Sequence, residues 1–77
     1  ENYGSASVTP DSNGNATIAH GLVGTPRFVT VGLRGNHSNA VDVQSVDATN
    51  ITVRIKNTTN NSPVTLGTYT IDWKAQL

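Results

Sequence analysis

From Ile51 to Lys56 the chain sets Ile51, Val53 and Ile55 on one side and Thr52, Arg54 and Lys56 on the other. Strict two-residue alternation of branched apolar and polar side chains is the mark of a strand buried on one face and solvated on the other. The same rhythm returns near the end, where Tyr69, Ile71, Trp73 and Ala75 alternate with Thr70, Asp72 and Lys74. Two such strands each need a second layer to cover the apolar side. No stretch of 11 residues keeps a helical apolar period, and the apolar share rests on Val and Ile. The expectation is therefore an all-β domain.

Turn formers separate six strand segments. They are Ser5 to Val8, Ala16 to His20, Arg27 to Leu33, Val41 to Val46, Ile51 to Lys56, and Thr68 to Ala75. Thr9-Pro10-Asp11-Ser12-Asn13-Gly14 closes the first, and Gly24-Thr25-Pro26 bends the chain after the second. In the third, Val29, Val31 and Leu33 oppose Phe28, Thr30 and Gly32, so both faces read as covered and the strand as central. In the fourth, Val41, Val43 and Ser45 share a face opposite Asp42, Gln44 and Val46. Six short strands at this spacing predict a small six-stranded antiparallel β-sandwich.

The 77 residues form one domain, 1–77, with residues 1–4 read as linker. A chain that opens Glu1-Asn2 and has no Met is expected to be a C-terminal piece of a longer one. Five basic and five acidic side chains cancel, which supplies neither the basic surface for nucleic acid nor one for anionic lipid. There is no apolar run long enough for a membrane-spanning helix. Without cysteine there is no disulfide and no thiolate metal site. A domain this small buries only about 60% of its unfolded surface. Burial between subunits would add to that, so an oligomer is expected.

Two stretches carry a resemblance. Ala16-Thr-Ile-Ala-His20-Gly-Leu-Val-Gly-Thr-Pro26-Arg-Phe-Val-Thr-Val31 resembles the V-x-H-G-L-x-x-T-P-x-x-V segment of C-terminal domains of bacteriophage tail fibres and tailspikes. Val46 to Arg54 with Ile71 to Ala75 is similar to the closing half of those domains and of H-type lectins. The resemblance implies a homotrimeric sandwich at the distal end of a fibre or spike, outside the cell on a virion tail, that trimerises and binds surface glycans. Where H-type lectins carry a W-x-D-T loop, this chain has Asn57-Thr-Thr-Asn-Asn-Ser-Pro63, so the fold carries over better than the lectin site.

Catalysis is not expected. The carboxylates are Glu1, Asp11, Asp42, Asp47 and Asp72, and Asp11 and Asp47 sit in turns where Asp is a structural choice. Ser38, His37 and Asp42 do not make a triad, because neighbouring loop side chains point apart. No cofactor or metal is assigned. His20 near a trimer axis could present three imidazoles to an ion, yet a turn histidine bonded to backbone accounts for it more simply. Trp73 and Tyr69 fall on the inward side and read as core, and Tyr3 falls outside the strands. The donor-rich side chains left over are Arg34, Asn36, His37 and Arg54. Guanidinium and amide groups suit vicinal hydroxyls or a sugar carboxylate, so these four are the glycan candidates, set at a cleft between subunits. The alternative reading is a carbohydrate-binding or capping module of a secreted polysaccharide-active enzyme.

Overall fold

The computed structural model describes residues 1–35 and 38–77. It contains six strands: β1 (Asn2–Val8), β2 (Asn15–Ala19), β3 (Phe28–Leu33), β4 (Asn39–Val46), β5 (Asn50–Asn57) and β6 (Tyr69–Gln76). They form two three-stranded antiparallel sheets, ordered β1-β6-β3 and β2-β5-β4. The two alternating segments that announce the fold are thus the two central strands. Each contributes the apolar side of its alternation to one core. Ile51, Val53 and Ile55 of β5 and Ile71 and Ala75 of β6 are fully buried, joined by Ile18 and Val8.

Three expectations need correction. β3 is an edge strand, paired with β6 alone in its sheet, and its Phe28, Thr30, Gly32 side faces solvent. Alternation in β3 reports one covered face, and the mixed character of the other side reflected exposure rather than a second layer. In β4 the ladder slips between Val43, opposite Val53, and Ser45, opposite Thr52. This bulge adds Gln44 to the strand and exchanges the faces beyond it, turning Val46 to the core and Ser45 to solvent. Finally, β1 begins at Asn2, so Tyr3 and Gly4 are strand residues, and Tyr3 lies 72% exposed. Gly4 pairs across the ladder with Trp73, and a Cβ there would stand 3.4 Å from the indole Nε1, an ordinary packing distance.

The turns are closed by side chains chosen for that purpose. The Asp11 carboxylate accepts from the backbone N–H groups of Asn13 (2.8 Å) and Asn15 (3.0 Å). Asp47 does the same for Thr49 (2.9 Å) and Asn50 (2.7 Å). Short polar side chains can replace backbone partners in this way, which is why turns favour them. Because every pairing is antiparallel, consecutive connections alternate between the two ends of the sandwich. Asn2 pairs with Ala75, so the beginning of β1 and the end of β6 share one pole with the 20–27 and 47–49 connections. The 9–14 and 58–68 connections, with Arg34 and Gly35 after β3, lie at the opposite pole.

Candidate binding surfaces

The solvent side of the β1-β6-β3 sheet is laid out by register. Ser5, Asp72 and Gly32 make one row, and Tyr3, Lys74 and Thr30 the next. Arg34 follows β3 directly, and its backbone N–H donates to Thr70 at 3.0 Å. Its guanidinium reaches back to Asp72 with two bonds, Nη2 to Oδ1 at 2.7 Å and Nε to Oδ2 at 3.2 Å. Nη2 also donates to Ser5 Oγ at 3.0 Å, and Ser5 donates to Asp72 at 2.5 Å. The forked geometry fixes the plane of the guanidinium against the sheet. It also holds the Asp72 carboxyl below the usual carboxylate range, chiefly through the Arg34 and then the Ser5 hydrogen bond. The hydrogen bonds from Asn50 and Thr49 hold Asp47 low in the same sense.

Both shifts set an acid limit. A carboxylate whose folded-state pKa lies below its unfolded value of about 3.9 stabilises the fold above that value and loses the contribution as pH falls through the folded pKa. The melting temperature followed by circular dichroism should therefore decline as pH falls below about 4. Asp72→Asn should blunt the decline, and a melting temperature unmoved down to pH 2 would contradict both assignments.

Arg54 lies on the other sheet. It pairs across the ladder with Asn15 of β2 and Asp42 of β4, on the side of β5 opposite the buried Val53 and Ile55. It is half-buried, and its Nε and the neighbouring Asn15 Oδ1 are buried atoms without a hydrogen-bond partner among the described residues. Beside it, Lys56 and Asp42 form an ion pair at 2.9 Å. Arg34 and Arg54 therefore occupy opposite outer faces, and one chain does not bring them together. Asn36 and His37 lie outside the described residues.

His20 is fully buried with both ring nitrogens engaged. The Leu22 N–H donates to Nδ1 (3.1 Å), so Nε2 carries the proton and donates to the Asp47 carbonyl (2.9 Å). It ties the end of β2 to the β4–β5 turn, and no lone pair is left for a metal. Among the described residues, no group of three or more His, Asp or Glu side chains could hold an ion.

Phe28 is the residue that sequence reasoning missed as a surface feature. It stands 63% exposed on the β3 side that had been read as covered. The signal was present in its phase, two residues before Thr30 and four before Gly32. Comparison with family models, with curated proteins and with solved structures finds no match to this chain.

Proposed function

We propose that this domain is a non-catalytic homotrimeric cap that ends a phage-type tail fibre or tailspike and adheres to cell-surface glycans. The observation that supports this best is the balance of apolar burial. Among the described residues seven apolar side chains are buried, while five large ones, Tyr3, Val23, Phe28, Leu66 and Leu77, stand largely in solvent. With so small a core and no cysteine, covering part of that surface with further copies is the available route to stability. The sequence resemblance to fibre and spike termini supplies the trimeric stoichiometry and the extracellular setting.

The pole arrangement fits an end cap. The start of β1 and the end of β6 lie at one pole, leaving the 58–68 connection at the other. Light scattering during gel filtration should report about three times the 8.1 kDa chain mass. A glycan array probed with that trimer tests the adhesive half. A monomer at micromolar concentration would overturn the assembly, and silence across neutral and acidic glycans would leave a structural cap.

A further inference from the structure

Gly32 has no internal reason to be glycine. Its φ is not in the left-handed region, and a Cβ built there would meet nothing within 4 Å among the described residues. Glycine inside a strand weakens it and commonly marks the close approach of a ligand or another backbone. Here Gly32 lies on the solvent side of β3 in an open, shallow hollow of about 300 Å³ that it shares with Asp72, Lys74 and Thr30. A second hollow of about 190 Å³, lined by Phe28, Thr30, Lys74 and Gln76, adjoins it and shares Thr30 and Lys74. The two make one shallow trough along β3, with Gly32 at one end and the Phe28 ring at the other. Their Cα atoms are about 14 Å apart at the strand rise.

We infer that this trough binds an internal stretch of a neutral, linear polysaccharide, one sugar seated over Gly32 and another stacked on Phe28. The inference rests on the adhesive reading above and gives it a place. The chemistry is that of sugar recognition. Asp72 accepts from hydroxyls, Lys74 donates to them, and Thr30 does either. The Asp72 carboxylate is held ionised and in one orientation by Arg34. Phe28 offers a ring face to the apolar face of a pyranose. Charge favours a neutral chain, because Arg34 is matched by Asp72 at 2.7 Å and Lys74 by Glu1 at 3.4 Å. Being shallow and strung along the strand, the trough suits a segment within a chain rather than a chain end.

The test uses the whole ¹⁵N-labelled protein titrated with linear hexasaccharides of β1,4-glucose, α1,4-glucose, β1,4-mannose and, as the acidic arm, α1,4-galacturonate. At least one neutral hexasaccharide should shift the amides of Thr30, Gly32, Asp72 and Lys74. Gly32→Val puts a strand-favouring side chain into the hollow, so its melting temperature should equal or exceed the wild type while affinity falls about tenfold or more. Phe28→Ala should cost about two- to tenfold. Shifts clustered around Arg54 would overturn the trough and leave the adhesive reading standing. An intact trimer that responds to none of the four would overturn both. Preference for the galacturonate chain, unchanged binding by Gly32→Val, or dissociation of that variant into monomers would each overturn the trough, the last by making it a contact between copies.

Discussion

Ile55→Ala should lower the melting temperature by at least about 10 °C. Ile55 is fully buried on β5, the central strand of its sheet. Its backbone is committed as well, donating to the Gly14 carbonyl at 2.8 Å and accepting from Val64 at 2.9 Å, so the site cannot relax inward by moving the strand. Removing the outer carbons of a buried isoleucine costs about 2 to 5 kcal/mol. A chain of 77 residues has a total of about 4 to 12 kcal/mol at typical stability per residue. The comparison is Val23→Ala, which touches a side chain 94% exposed and should change stability by less than about 0.5 kcal/mol. Urea melts read by Trp73 fluorescence at one protein concentration separate the two. Equal midpoints would mean that the core is not where it is drawn.

Gly14→Ala should be nearly as damaging, through backbone rather than packing. Gly14 is buried with φ of 79°, in the left-handed region where a Cβ is unwelcome. The added carbon would fall 2.7 Å from the Ile55 carbonyl oxygen and 2.9 Å from Pro63 Cβ. Neither is the yielding tip of a long side chain. The conformational strain alone is about 1 to 3 kcal/mol, and the collision pushes β5 from the turn that its Ile55 N–H depends on. The opposite change at Asn61, a non-glycine residue at φ of 62° in an exposed turn, should be neutral or mildly stabilising as Asn61→Gly. Thermal melts of the two variants should move in different directions by very different amounts. A Gly14→Ala protein melting within three degrees or so of wild type would contradict this reading of the turn.

Local pattern carried the fold a long way because each strand has one apolar side and side-chain direction in a strand has a period of two. That is why β5 and β6 are legible down to the buried residues Ile51, Val53, Ile55, Ile71 and Ala75. The errors arise where information is not local. Nothing in Arg27 to Leu33 says how many neighbours that strand has, and nothing in Val41 to Val46 says that its partner opposes two of its residues with one. Asn2 and Gly4 are poor strand formers, so propensity alone does not place Tyr3 in β1; pairing with Lys74, Trp73 and Ala75 overrides that preference. For the candidate site the limit is the same. Arg34 and Arg54 are both donor-rich and both point away from the core, but which outer face each belongs to depends on sheet assignment, and they fall on different sheets. Gly32 and Phe28 gain meaning only when β3 is an edge with a solvated side.

The pole arrangement has a mechanical side. A load on the domain can meet the β1–β6 ladder in two directions. Drawn from the 58–68 connection toward Glu1, such a load runs along the strands, and β1 is tied to β6 by seven registered pairs whose hydrogen bonds lie across that direction. All of them resist together, in shear. Pulled apart at Asn2 and Gln76 instead, the same two strands would open like a zip, one rung after another. With the start of β1 and the end of β6 at one pole, the direction of a load decides whether this ladder shears as a whole or opens rung by rung.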